Sequence, residues 1–449
     1  MCTLAVVWWT GLCARPHLGE SDSLEVCTAQ EWLTQGHFGG RVRTFAMGTV
    51  NIGEARDYWT LAQGARLHYR TATFKGFRVH VEGVFAFRLA GNDLNAVDPA
   101  SGKTSRFERQ LYDLEHPDNF DDLDRLEQLY VAYRHARGQV QWGRMAVQTP
   151  IVNPHDGRMK PKVVSGLWGT HHVHGVNVFA GWFHRTSPRS TTHWMPISEA
   201  IGIYNTGCAK SPEGTAYRSA VQTKGLAIAG FERSHGSASL TLWNYWLENI
   251  SNTTLLTWRH AGRVHTGAQL LAQHRQGQGG NANRDLAYHP NATAAWVVSG
   301  LVGTQLTQQW HMEVAATQVG PWGVYRFPRE LGVDPFFTHL TRGWLEGLSN
   351  ATAASFRVER AASKWRAEYA VQRIQLHGNP DDLSRNKYGQ LSHWQHNLEV
   401  HWRPEGWLAG SDWMLLYVHT GAINQDVPAE RTFNRYGMHH FNVVFNLRF

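Results

Sequence analysis

Cysteine is scarce: Cys2, Cys13, Cys27 and Cys208 are the only four in 449 residues. None has C-x-x-C spacing, which argues against a disulfide framework or a zinc knuckle. No apolar run approaches the roughly 18 residues of a transmembrane helix, so a helical membrane protein is excluded. Lysine and arginine occur singly rather than in blocks, which argues against a nucleic-acid patch. The net charge of +7 still admits an anionic partner such as lipopolysaccharide or a carboxylate solute. Neither a G-x-S-x-G elbow nor an H-E-x-x-H pair occurs, and no catalytic constellation is expected.

What is abundant is aromatic. With 20 Trp, 14 Tyr and 19 Phe and a negative mean hydropathy, the chain suits strands with one greasy and one wet face. At the carboxy-terminus Phe441, Val443, Phe445, Leu447 and Phe449 fall on one side of an extended strand, and Asn442, Asn446 and Arg448 on the other. Val444 alone breaks the pattern. Earlier, Ala65, Leu67 and Tyr69 alternate with Gly64, Arg66, His68 and Arg70. After a turn, Phe77 to Leu89 puts Phe77, Val79, Val81, Phe85 and Phe87 on one face and Arg78, His80, Glu82 and Arg88 on the other. That alternation exceeds the usual five or six residues of a soluble strand and covers the roughly 9 to 11 that cross a bilayer.

The same pattern returns around Leu129 to Arg134, Trp310 to Val314, Trp365 to Gln372 and Trp394 to Trp402, with Gly39 to Phe45 as a first strand. Ala238 to Leu247 resists it, being apolar on both faces. Charges on the polar faces would each cost about 2–4 kcal/mol at the bilayer centre, so they must face a wet lumen. A short turn after Arg70 and a long acidic stretch after Leu89, which contains Asp118, Asp121, Asp122 and Asp124, give the loop asymmetry of a membrane barrel. The fold expected is all-β, a transmembrane antiparallel β-barrel spanning residues 36–449. Residues 1–35 are expected to be the remnant of a signal or amino-terminal segment: Leu4 to Trp9 is apolar but lacks a basic start, and Leu12 before Cys13 makes a poor lipidation site.

Gly143 to Pro161 carries Pro150, Pro154 and Pro161 with Asp156-Gly157, which excludes regular structure and fixes turns. Folded into a barrel, it would narrow the pore with positive charge; left outside, its charges would simply be solvated. Residue chemistry alone fits both.

Several stretches resemble the OprD-type outer-membrane porins. They are Gly143-Arg144-Met145 with Thr149 to Pro161, Ser187 to Thr191, Ile201 to Tyr204, Phe327 to Glu330 with Asp334 to Thr338, Glu346-Gly347-Leu348, and Asn386 to Gly389. Their order matches that of the family from about residue 36 onward. The resemblance implies about 18 strands, an inward-folded constriction loop and a ladder of lumenal basic residues guiding carboxylate solutes. It implies a location in the outer membrane of a Gram-negative bacterium.

Carried over by position, the constriction comprises Arg144, Asn153, His155, Asp156, Arg158 and Lys160, the last standing where an arginine is expected. Strand phase nominates Arg66, Arg70, Arg78, Arg88, Arg134 and Arg366 for the ladder. Phe449 is the expected assembly signal. Partners are then small anionic or carboxylate solutes, outer-membrane lipid, lipopolysaccharide and the barrel assembly machinery, with the chain a monomer or homotrimer. No cofactor is expected. His171, His172 and His174, like His439 and His440, alternate across a strand and cannot close a metal site. A non-conducting barrel for adhesion or scaffolding, and a soluble carbohydrate-binding β-sandwich, remain as alternatives.

Overall fold

Alternation becomes structure wherever a strand finds a partner on each side. The computed structural model describes residues 25–204, 217–423 and 427–449. Eighteen long strands follow one another, each antiparallel to the next: β1 His37–Val50, β2 Tyr58–Arg70, β3 Phe77–Gly91, β4 Arg125–His135, β5 Gly138–Met145, β6 Val163–Val173, β7 Val176–Ser187, β8 Leu226–His235 and β9 Ala238–Leu247. The second half comprises β10 Ser251–His260, β11 Val264–Arg275, β12 Ala295–Gln305, β13 Trp310–Val319, β14 Ala351–Ala361, β15 Trp365–Leu376, β16 His393–Trp402, β17 Ser411–Ala422 and β18 Met438–Arg448. The last strand pairs with the first from Arg41↔Arg448 to Val50↔His439, so the sheet closes on itself. One closed sheet is a barrel and excludes two sheets packed face to face.

β1 is longer than the Gly39 to Phe45 read from local pattern. Its ends are set by pairing with β2, which runs from His37↔Arg70 to Thr49↔Tyr58. Residues 25–36 and the carboxy-terminus lie at the end of the barrel with the tight turns, such as 136–137, 174–175 and 236–237; residues 92–124, 146–162 and 320–350 leave from the other end, as does the chain from residue 188. Residues 29–34 form a short helix whose Thr28 and Glu31 make a reciprocal capping box. Ala72 N donates to Trp32 O at 3.2 Å, docking this helix on the 71–76 turn. Cys2, Cys13 and Cys208 lie outside the described residues, as does the apolar Leu4 to Trp9.

The outer face is apolar from strand to strand. Leu67, Phe85, Val131, Leu242, Leu270, Val298, Leu415 and Val443 are all exposed there. Trp59, Trp246 and Trp394 flank this band at the long-loop end, and Phe38, Trp258, Trp310 and Trp402 at the other. A soluble monomer rarely exposes more than a few hundred Å² of continuous apolar surface. This band with its two aromatic girdles is a lipid-facing surface. In β18, Phe441, Val443, Leu447 and Phe449 point outward, whereas Val444 turns inward and packs with Phe45 and Met47.

β9 explains its own irregularity. Leu240, Leu242 and Trp246 face out; Trp243, Tyr245 and Leu247 face in and are buried. Their cover is a loop folded into the lumen, as its contacts show.

Candidate constriction and solute path

The 146–162 loop leaves β5 with Met145 and Val147 already packed on the inner wall. Met145, Val147, Ile151 and Val152 join Trp168 on β6, Phe179 and Phe183 on β7, and Trp243 and Tyr245 on β9 in one buried cluster. Tyr245 is also its polar anchor: the hydroxyl donates to Thr149 Oγ1 at 3.0 Å and accepts from Ile151 N at 3.2 Å. Thr149 Oγ1 in turn donates to Val152 O at 2.7 Å, closing a tight turn. The loop then crosses to the opposite wall. Asp156 meets Arg41 at 2.7 Å and Arg43 at 2.9 Å on β1, and Arg66 at 3.6 Å on β2. Burial alone would raise the Asp156 pKa, but Arg43, Arg66 and Arg41 outweigh it and hold the carboxyl below the usual range. β9 and β1 stand nearly half the barrel apart, so the loop bridges the lumen.

A second loop, 320–350, folds in beside it and is tied down by inward polar side chains. Gln269 Nε2 donates to Pro335 O at 2.9 Å, Gln273 Nε2 to Arg326 O at 2.7 Å and Gln395 Nε2 to Thr341 O at 2.7 Å. Val333 N donates to Ile151 O at 2.9 Å, joining the two loops. Glu346 locks the outer rim: its carboxylate accepts from Lys387 Nζ at 3.0 Å, from Tyr288 OH at 3.1 Å and from Tyr388 OH. Amides suit this task because they tether loop carbonyls without bringing net charge into the lumen.

The loops leave two adjoining clefts open to the lumen. Both are bounded by Arg106, Phe107, Arg329, Arg342 and Trp344; Arg435 and Tyr388 complete one, Arg189, Gln110 and His155 the other. No carboxylate lines either. Among the described residues, Arg106, Arg189, Arg329 and Arg342 have no ion-pair partner. Aromatic faces hold them instead. The Arg329 guanidinium lies 4.5 Å from the centroid of Trp344, and Arg342 and Arg106 lie 4.8 and 5.2 Å from that of Phe107. Burial, then Arg435 and Arg329, pulls the Arg106 pKa well down, whereas for Arg329 burial is outweighed by Tyr388, Glu346 and Glu330, which raise its pKa. His155 sits in the same field; burial, then Arg189 and Lys162, keeps its imidazole neutral well below the ordinary range.

The residues nominated from sequence divide sharply. His155 lines a cleft, and Asn153 Oδ1 accepts from His155 N at 3.1 Å to shape its turn, where His155 takes a φ of 41°. Arg158 is buried one layer behind, donating to Gln110 Oε1 at 3.1 Å. Lys160 is fully buried with Nζ on Leu123 O at 3.3 Å, at the base of the 92–124 loop and off the path. Arg144 is corrected outright. It pairs with Leu129, which faces out, and stacks on Trp194 at 5.2 Å, because two residues on from exposed Trp142 the strand's parity is outward.

Among the ladder residues, Arg66 is paired with Glu82 and Asp156, and Arg366 with Glu359 at 2.8 Å and Glu368 at 3.0 Å. Arg88 lies inward but is stacked on Phe120 at 4.7 Å and bonded to Asn92 O. Arg70, Arg78 and Arg134 have inward parity towards the tight-turn end. The cleft arginines were missed, although Arg189 and Arg329 sit inside stretches that carried the family resemblance.

A family model described as outer membrane porin, OprD family, matches residues 43–288. No curated protein matches the chain. Among solved structures it is similar to a BenF-like porin from Pseudomonas fluorescens Pf-5, with a TM-score of 0.70 at 15% identity, covering 93% of this chain and 99% of that one. It is similar to Pseudomonas aeruginosa OpdK, solved with vanillate, with a TM-score of 0.68 at 15% identity and the same coverages. Pseudomonas aeruginosa OccK2 (OpdF), in complex with glucuronate, gives a TM-score of 0.66 at 16% identity over 93% of this chain and 97% of that one. At such identities the structural likeness is one of fold, and the family model, matching more than half the sequence, adds the lineage: the chain belongs to the OprD family of outer-membrane porins.

Proposed function

We propose that this porin lets small carboxylate-bearing anions diffuse passively, with no catalytic step, through the clefts lined by Arg106, Arg189, Arg329, Arg342 and Arg435. The observation that carries this is the lining itself, basic side chains without a carboxylate. A guanidinium fork matches a carboxylate in two parallel hydrogen bonds; stacking on Trp344 and Phe107 leaves in-plane N–H groups of these arginines beside the single bonds that Arg342 makes to His440 Nε2 and Arg106 to Asn434 O. Phe107, Trp344 and Tyr388 add flat apolar faces, which favours solutes that carry a ring beside the acid. Relatives of the same fold were solved with vanillate and glucuronate, both carboxylates. The inward Arg70, Arg78 and Arg134 then form the leaving side of the ladder, with lipopolysaccharide around the outer girdle and Phe449 read by the assembly machinery.

Reversal potentials across planar bilayers under a salt gradient test this directly. Wild type should prefer chloride over potassium, and the Arg106→Gln, Arg329→Gln, Arg342→Gln triple variant should move towards no preference. Cation preference in wild type would end the proposal.

A further inference from the structure

One cluster on the inner wall takes no part in this path. His265 is the second residue of β11, and His311 and Glu313 open β13; all three have inward parity at the tight-turn end. They come from strands separated by β12, whose residue between them is Gly303, paired with both His265 and Glu313. A Cβ on Gly303 would lie 2.2 Å from His265 Nε2. Its absence is what lets side chains two strands apart meet. His265 Nε2 lies 3.0 Å from His311 Nε2 and 3.7 Å from Glu313 Oε2, and the three ligand atoms fall within 4.8 Å of one another.

We propose that His265, His311 and Glu313 form a lumenal site for a divalent transition-metal ion of the Zn²⁺ type. Two imidazole nitrogens and a carboxylate are a donor set this borderline ion accepts, with Zn–N and Zn–O near 2.0–2.2 Å. Three protein ligands leave a fourth position open to the lumen, where water or a solute carboxylate can bind. Without metal, the 3.0 Å contact between two rings needs a proton on one Nε2; for both Nε2 atoms to bind a metal, that proton must shift to Nδ1 or, if the pair carries an extra proton, leave. The rings stack at a 24° interplanar angle, so one must turn before both lone pairs converge. Histidine χ2 is broad, and the gap over Gly303 gives the ring room.

The surrounding charges do not forbid a cation. Arg357 Nη1 stands 3.8 Å from Glu313 Oε1, and Arg259 shares the face of His265 on the neighbouring β10. Glu359, opposite His311 on β14, adds a further carboxylate nearby, itself paired with Arg366 at 2.8 Å. Arg357 is held back by donating through Nη2 to the carbonyls of Phe337 and His339.

Purified barrel, stripped with EDTA, would be titrated with Co²⁺ for its visible d–d bands and then with Zn²⁺ in competition. Wild type should show one saturable site that His265→Ala, His311→Ala and Glu313→Gln each weaken, on the order of tenfold or more, the scale on which metal sites respond to altered ligand shells. His396→Ala, on the outer face, should change nothing, and each variant's conductance in EDTA reports that it has folded. Zn²⁺ affinity that is equal in wild type and the His265→Ala, His311→Ala double variant overturns the proposal, as does the absence of any saturable Co²⁺ spectrum. Gly303→Ala supplies an independent arm: its added methyl should abolish the site while keeping every ligand.

Discussion

At the scale of single residues, the lumen shows what burial does to a base among arginines. His339, on the inward loop, has its pKa pushed down to about 4 by burial first and Arg357 second. The unfolded chain therefore takes up a proton between about pH 6.5 and 4 that the folded chain refuses, so the barrel should lose stability as pH falls through that window. His339→Gln removes the difference. The temperature at which the barrel unfolds in detergent, read by heat-modified electrophoretic mobility, should fall on acidification from pH 7 to 5 in wild type and fall less in the variant. Identical slopes would show that His339 is already protonated in the fold. Parity was legible at this scale and was enough to place Arg66, Arg78 and Arg88 inward. It was also enough to place Arg144 outward, since Trp142 two residues earlier faces lipid. That error came from carrying a role over by position against the strand's own alternation.

Among the elements, strands could be read and inward loops could not. A strand declares its two faces locally, whereas the 320–350 loop is held by Gln269, Gln273, Gln372 and Gln395 from distant strands. Nothing within the loop's own sequence announces those partners. β9 was the exception that pointed to them: an inner face carrying Trp243 and Tyr245 requires a cover, and the 146–162 loop supplies it. The other end of that loop rests on Asp156. Asp156→Asn would leave Arg41, Arg43 and Arg66 without their shared carboxylate and weaken the anchor by less than the roughly 3 kcal/mol of a fully buried pair that loses one partner, because Asp156 is only half-buried. Single-channel recordings should then show larger and noisier current, with anion preference raised because three arginines are uncovered. Unchanged current and noise would mean that Tyr245 and the apolar cluster hold the loop alone. The depressed pKa of Asp156 makes the wild-type anchor persist into acid, since a carboxylate held below its unfolded value stabilises at every pH above it.

For the whole molecule, the decisive contact is the seam where β18 meets β1. A closed barrel has no unpaired edge, and that is what lets a sheet sit in lipid, where an unsatisfied backbone group costs several kcal/mol. Phe449 finishes the seam: Gly40 N donates to Phe449 O at 2.9 Å and Phe449 N donates to Gly40 O at 3.1 Å. Its ring lies over Gly40, at a spot where a Cβ would come within 2.7 Å. Deleting Phe449 removes this reciprocal pair and one outward aromatic at the tight-turn end, yet touches nothing that lines the clefts or anchors the loops. The deletant should therefore give less folded, heat-modifiable barrel in outer-membrane fractions, while the molecules that do insert conduct with wild-type current and selectivity. Gly40→Val should act in the same direction, because the added side chain displaces the ring and also crowds Arg66 O on β2, where a Cβ would come within 2.9 Å. Wild-type yield from both variants would reduce the last residue to an ordinary strand end. Lowered yield together with altered current would mean instead that the seam shapes the lumen, coupling closure of the sheet to the width of the path inside it.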